Sequence, residues 1–128
     1  MLHHVDVHVR DLAATSTLFE SLAPLIGYRR RAEEPDFVGF ETTDGGRPRI
    51  GFLLDPDCRA GSMRLAFSVD SNEQVDASAQ VVRKRAARAI EGPGLNPEYG
   101  DGYYAVFFED ADGNKYEIVA GASAARKP

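Results

Sequence analysis

The sequence predicts an α+β fold made of two tandem βαβββ modules, and three observations carry that prediction. An alternating apolar set at Val5, Val7 and Val9 returns 60 residues later at Leu65, Phe67 and Val69. Alternation of this kind marks a strand buried on one face. Each of these strands runs into an apolar stripe of helical spacing, and each stripe is followed by strand-like runs separated by turn residues. A repeat at about half the chain length is decisive, because a duplicated unit sets the architecture.

Module one spans about residues 2–55. Its first strand covers His3 to Val9, and Asp11 follows as a helix N-cap ahead of Leu12, Thr15, Leu18, Phe19 and Leu22 on one face. Pro24 is expected to limit this helix, with Gly27 at its exit. Strands are then expected at Tyr28 to Ala32, Phe37 to Thr42 and Arg49 to Leu54, with Asp44-Gly45-Gly46 as a hairpin turn. Residues 55–62, with Asp55-Pro56-Asp57 and Gly61, form the connection.

Module two spans about residues 62–120. After the strand Met63 to Val69, Ser71 with Gln74 three residues on forms a capping-box pattern. Val75, Ala79, Val82 and Ala86 share one helical face, in a helix expected to reach about Arg88 or Ala89 before the breaker Gly92-Pro93-Gly94. A weak run near Ala89-Ile90-Glu91 and strands at Tyr103 to Glu109 and Lys115 to Ala120 complete it. Asp110-Ala111-Asp112-Gly113-Asn114 reads as their turn: as a calcium loop it would put Lys115 where Gly is needed and Gly121 where a bidentate Glu is needed. Residues 1–121 are thus expected to form a single domain, with 122–128 as a tail.

Composition fits that size. The 128 residues suit one domain of ordinary length, with 43% hydrophobic and 27% charged residues. The net charge of −5 argues against nucleic acid as a partner, because phosphate backbones are held by clustered Lys and Arg. The two basic runs, Arg29-Arg30-Arg31 and Arg83-Lys84-Arg85, read as solvated faces. No run approaches the roughly 20 apolar residues of a bilayer span, and no signal peptide is read, so no membrane partner is expected. The lone Cys58 cannot pair within the chain, which suits a reducing cytoplasm.

Three stretches bear a family resemblance: His4-Val5-Asp6-Val7-His8-Val9-Arg10-Asp11-Leu12, the exit Phe19 to Leu25-Ile26-Gly27-Tyr28, and the closing Phe107-Phe108-Glu109-Asp110-Ala111-Asp112-Gly113-Asn114-Lys115-Tyr116-Glu117-Ile118. The chain resembles the vicinal oxygen chelate superfamily, which includes glyoxalase I, fosfomycin and bleomycin resistance proteins and extradiol dioxygenases. The resemblance runs from Leu2 to Gly121 and implies paired curved sheets that enclose a cup, a partly closed eight-stranded barrel. It also implies a homodimer and a divalent metal in the cup, of the zinc, nickel, manganese or iron kind. His4 and Glu117 fall on two of the family's metal-ligand positions. Arg64 falls on a third, frequently His in the metal enzymes, and the fourth lies near Ile50 to Phe52, where no ligand side chain exists. A guanidinium stays protonated and cannot ligate a metal.

Strand alternation identifies a polar face independently. If Val5, Val7 and Val9 pack under the helix, His4, Asp6 and His8 point the other way. The same parity turns Arg64, Ala66 and Ser68 inward, so that with Glu117 a concavity of convergent polar groups is expected, the usual mark of a small-molecule site. His4 and His8 lie roughly 13 Å apart along the strand, too far to share an ion, whereas Asp6 can orient either ring. Plain structural roles are open to these residues too, since a histidine often does no more than bond a neighbouring strand. Tyr104 is favoured over Tyr103 as the tyrosine entering the cup, and the loop 95–102 could act as a lid or as plain surface.

Two functional readings stand side by side. One is a metal-free binding protein resembling the bleomycin resistance members, in which His4, Asp6, His8, Arg64, Ser68 and Tyr104 contact a small anionic or oxygen-rich ligand. The other is a divalent-metal lyase, isomerase or dioxygenase, with Glu117 and His8 as proton-handling residues and His4 and Glu117 as metal ligands. A metal-free enzyme using the His and Asp set as acid and base is a third.

Overall fold

The fold is described for residues 1–121 of a computed structural model, and the tail expected at 122–128 lies outside the described residues. Module one comprises β1 (His4–Val9), α1 (Leu12–Ile26), β2 (Tyr28–Glu34), β3 (Phe37–Thr42) and β4 (Arg49–Leu54). Module two comprises β5 (Arg64–Ser68), α2 (Asn72–Lys84), β6 (Arg88–Leu95), a 3₁₀ turn at Pro97–Tyr99, β7 (Tyr104–Glu109) and β8 (Lys115–Ala120). Each module builds one four-stranded mixed sheet, in the orders β1-β4-β3-β2 and β5-β8-β7-β6. β1 runs parallel to β4 and β5 parallel to β8, and the other pairs are antiparallel. This is the α+β, two-module βαβββ architecture that the repeat predicts. Among the described residues no helix is long and apolar enough to cross a membrane.

The caps follow the sequence signals. The Asp11 carboxylate accepts the Ala14 N–H at 3.0 Å, and Gly27 ends α1 with φ at +79°, a left-handed conformation that favours glycine. The helix nevertheless continues past Pro24 to Ile26. Pro24 lies in its last turn, where the ring forfeits a single intrahelical bond. In α2 the Ser71 hydroxyl accepts the Gln74 N–H at 3.2 Å, while the Gln74 side-chain oxygen accepts the Asp70 N–H at 3.0 Å.

Two boundaries differ from expectation. α2 stops at Lys84 rather than near Arg88, because Ala86 and Ala89 take positive φ values of 58° and 49° and turn the chain back into β6. β6 then runs straight through Gly92-Pro93-Gly94 as an edge strand. Its pairing with β7 shifts register twice, between Arg88 and Glu91 and between Glu91 and Gly94, and such bulges accommodate a residue without an N–H.

Both sheets turn their apolar faces to the same helices. Val7, Val9, Val38, Phe40, Ile50 and Phe52 from one sheet and Phe67, Val106, Phe108, Tyr116 and Ile118 from the other share one buried cluster with Leu18, Phe19, Leu22, Val75 and Val82. Phe19 is its pivot, with ring centroids 4.7 Å from Phe52, 4.9 Å from Tyr116 and 6.1 Å from Phe67.

The β7–β8 turn locks the modules together. Buried Asp110 accepts the Tyr116 hydroxyl at 2.8 Å, the Asn114 amide at 3.0 Å and the backbone N–H groups of Asp112 and Asn114. Burial and the adjacent Asp110 push the Tyr116 phenol far above its ordinary value. The turn so braced aims the Asp112 carboxylate at module one, where it accepts the N–H groups of Arg10 at 2.7 Å and Asp11 at 3.0 Å, just ahead of α1.

Phe19→Ala removes the ring that touches both sheets. It is expected to cost about 3–5 kcal/mol in urea unfolding followed by circular dichroism. A loss below about 1 kcal/mol, the size of an ordinary surface change, would mean that Phe19 is not the pivot.

Candidate functional site

With the odd-numbered positions of β1 facing the helices, His4, Asp6 and His8 are exposed on the outer face of the first sheet. Register builds this face in rows: His4 opposite Arg49, Asp6 opposite Gly51 and Gly39, and His8 opposite Leu53 and Phe37. A hollow of about 270 Å³ opens here, lined by His3, His4, Asp6, Arg31, Phe37 and Arg49 among others. The His4 Nε2 lies 3.8 Å from the Asp6 carboxylate, both exposed. Asp6 therefore attends His4, not His8.

His8 is held instead by Asp55, a partner that sequence reasoning missed. Its Nδ1 lies 2.8 Å from Asp55 Oδ2, and since a carboxylate only accepts, Nδ1–H is the donor; in the neutral ring Nε2 is then the acceptor. The His8 hydrogen bond and the Asp57 N–H hold the Asp55 carboxyl below its ordinary value. The residue directly after β4 could be found only by knowing that β4 lies parallel beside β1, which brings position 55 to the end of position 9.

On the second sheet the outer face carries Arg64, Ala66 and Ser68, all exposed, with Glu117 beside Ala66 in register. Glu117 is only 5% exposed and accepts a hydrogen bond from the Tyr103 hydroxyl. The Tyr99 and Tyr103 rings meet at 5.3 Å, which places the 3₁₀ turn over this carboxylate. Arg64 lies over the Phe107 ring at 5.0 Å, a cation–π contact, and among the described residues it forms no salt bridge to Glu117. Arg64, Ala66, Tyr99, Tyr103 and Glu117 line a hollow of about 320 Å³.

Tyr104 requires a correction. Its hydroxyl donates to Asp76 of α2 at 2.5 Å, so it faces the helix, and Tyr103, expected to pack, is the tyrosine on the Glu117 side. The strand β7 begins at Tyr104 and keeps Val106 and Phe108 in the core, which fixes even positions inward. Of the Arg29–Arg31 run, Arg30 is not a solvated face: it reaches Glu20 of α1 at 2.6 Å and Glu33 at 2.5 Å, part-buried.

The two hollows share no residue, and β1 and β5 do not pack side by side. Within one chain, His4, Asp6 and His8 lie on one sheet and Arg64, Ser68 and Glu117 on the other. The expected convergence of all six is therefore not formed inside the chain.

Two curved-sheet modules with polar outer faces define a protein of the glyoxalase-like fold. Comparison with known proteins makes the assignment specific: residues 1–118 match the model of the Glyoxalase/Bleomycin resistance protein/Dioxygenase superfamily, and the chain belongs to it. An uncharacterized protein of Bacillus subtilis (strain 168), YqjT, is 28% identical across 93% of this chain and 98% of its own. A glyoxalase/bleomycin resistance protein from Albidiferax ferrireducens T118 superposes with a TM-score of 0.76 at 22% identity, covering 94% of this chain and 98% of that one. A fosfomycin resistance protein from Listeria monocytogenes gives 0.72 at 16% identity, covering 94% and 93%. These structural likenesses show the fold.

The family's divalent metal can be tested against the residues present. The 60-residue repeat sets His4 against Arg64, and register sets Gly51, beside Asp6, against Glu117, beside Ala66. The four positions therefore hold imidazole, nothing, guanidinium and carboxylate. A Cβ at Gly51 would meet Asp6 Oδ1 at 2.6 Å and the Phe37 ring at 2.7 Å, so the place of the missing ligand is filled. Among the described residues no three His, Cys, Asp or Glu side chains gather to hold a metal ion. This donor set does not fit the family's metal site.

The His8–Asp55 pair yields a pH prediction. Because the folded Asp55 carboxyl is held below its unfolded value, the pairing stabilises the chain above the unfolded value, and the effect is lost as pH falls through the folded one. In His8→Ala, the Asp55 carboxyl titration followed by ¹³C NMR is expected to move up toward the ordinary carboxylate value. An unmoved midpoint would show that His8 does not hold it.

Proposed function

We propose that this chain binds a small anionic or oxygen-rich molecule in a cup that a second copy completes, without the family's divalent metal. One observation carries the metal-free reading: the repeat pairs His4 with Arg64 and Gly51 with Glu117, so that where the two walls meet, one imidazole and one carboxylate are joined by a guanidinium and a position without a side chain. The open outer faces support the second copy. Each sheet ends on an unpaired edge, β1 or β5, and a polar wall beside such an edge is suited to meet its counterpart from another chain.

In this reading one copy supplies His4, Asp6 and His8, and the other supplies Arg64, Ser68, Tyr103 and Glu117. Arg64, held over Phe107, takes the ligand's oxygens with its guanidinium fork. Glu117, with one oxygen held by Tyr103, accepts a ligand hydroxyl or N–H, and Ala66 leaves room beside it. Tyr104 takes no part, since Asp76 holds it on the helix side. The His8–Asp55 pair supports a second reading, a metal-free enzyme in which His8 Nε2 takes a proton from the bound molecule. A reducing cytoplasm suits its single thiol.

Sedimentation equilibrium and metal analysis test this together. The chain is expected to sediment at twice its 14.0 kDa and to retain no stoichiometric divalent metal after dialysis. A monomeric wild type or tightly retained metal would each contradict the reading.

A further inference from the structure

Gly39 and Gly51 are paired in register at the centre of the first sheet's outer face, and neither has a positive φ. Backbone conformation therefore does not demand glycine at either position, and glycine within a strand ordinarily weakens it. What demands it is the Phe37 ring, joined at Gly51 by Asp6 Oδ1 at 2.6 Å. A Cβ on Gly39 would stand 3.0 Å from Phe37 Cε2, and one on Gly51 would stand 2.7 Å from Cε1. The tip of the ring, Cε1, Cζ and Cε2, rests against two bare backbones on the outer face, away from the shared core, and the half-buried side chain lines the hollow.

The same hollow is bordered by cations. Arg49, opposite His4, has its Nε buried without a hydrogen-bond partner and forms no ion pair among the described residues. Arg31 is the bulged residue where β2 and β3 shift register between Arg30 and Ala32, and the bulge sends its side chain to this face. There Arg31, at 3.6 Å, and Arg29, at 3.0 Å, share the single carboxylate of Glu41, so one positive charge is left over. Asp6 is the other acid on this wall, and it attends His4.

We propose that this groove is a subsite for a flat aromatic anion, with the ligand ring stacked on Phe37 and its acidic group held by Arg49 and Arg31. The inference rests on the reading that this face is a wall of the ligand cup, and it names the ligand class for that wall. A seated aromatic surface supplies the area that stacking needs, and two guanidiniums with spare donors match a carboxylate or a similar planar acid. An aliphatic anion would leave the ring uncovered, and a neutral arene would give the guanidiniums no acceptor.

The test uses the full chain and three probes: 1-naphthoate, the neutral 1-naphthalenemethanol and the non-aromatic cyclohexanecarboxylate. Calorimetry is expected to show 1-naphthoate binding about tenfold tighter than either comparator, with amide shifts at Gly39 and Gly51 in NMR spectra. Arg49→Gln is expected to weaken 1-naphthoate about tenfold without changing 1-naphthalenemethanol, and Phe37→Leu to weaken it about fivefold without changing cyclohexanecarboxylate. Arg31→Gln alters an exposed side chain that the fold does not need, and is expected to weaken 1-naphthoate in the same sense. Equal affinity for the three probes, indifference to both arginine variants, or shifts confined to the second sheet would overturn the proposal. Sedimentation of the same samples separates it from the cup: a dimer that does not prefer 1-naphthoate refutes only the subsite, whereas a monomer that binds it in the groove refutes only the two-chain cup.

Discussion

Everything in this molecule follows from two sheets sharing one helical layer. α1 and α2 lie against each other, and Phe19 touches Phe52 of one sheet and Phe67 and Tyr116 of the other. A helix pair that accepts the apolar face of both sheets leaves neither sheet's apolar side for the opposite module to cover. The polar sides must then face outward, and the Asp112 carboxylate, fixed by the buried Asp110 network, holds the modules in that arrangement. Packing in the core thus decides where the chemistry can be.

The chemistry of those faces is correspondingly divided. The second sheet presents a shielded carboxylate, Glu117, and a guanidinium held over an arene. The first presents a seated aromatic ring, a His–Asp pair and an excess of arginine. The repeat that made the two modules alike in backbone has left them unlike in side chains. At the paired position Glu117 keeps a carboxylate, while Gly51 gives its space to Phe37 and Asp6. The bare backbone at Gly51 is what leaves room for the Phe37 ring.

Much of this was legible in the sequence because it rests on local rules. Alternation at Val5 to Val9 and Leu65 to Val69, the caps at Asp11 and Ser71 and the glycine exit at Gly27 each report a short-range requirement, and each appears in the structure. Parity also turned His4, Asp6, His8, Arg64, Ala66 and Ser68 to the polar faces. What alternation lacked was an anchor in β7: with Tyr103 and Tyr104 adjacent, only the helix contact of Tyr104 with Asp76 decides which enters the site. The end of α2 was hidden because two alanines in left-handed conformations carry no sequence signal. The separation of His4 from Glu117 depends on which faces the helices cover, a long-range matter, and the seat of Phe37 needed the register of Gly39 with Gly51.

The wall carrying His4 is proposed to meet the wall carrying Arg64 across two chains. The most direct measurement joins them covalently in a Cys58→Ser background, with His4→Cys in one chain and Arg64→Cys in another, mixed under refolding conditions and treated with a short bis-maleimide. The account predicts a crosslinked dimer from the mixture and none from either variant alone. If a chain carrying both substitutions crosslinks internally and stays at the mass of one chain, or if the mixture does not crosslink, the two walls do not meet between copies and the account is contradicted.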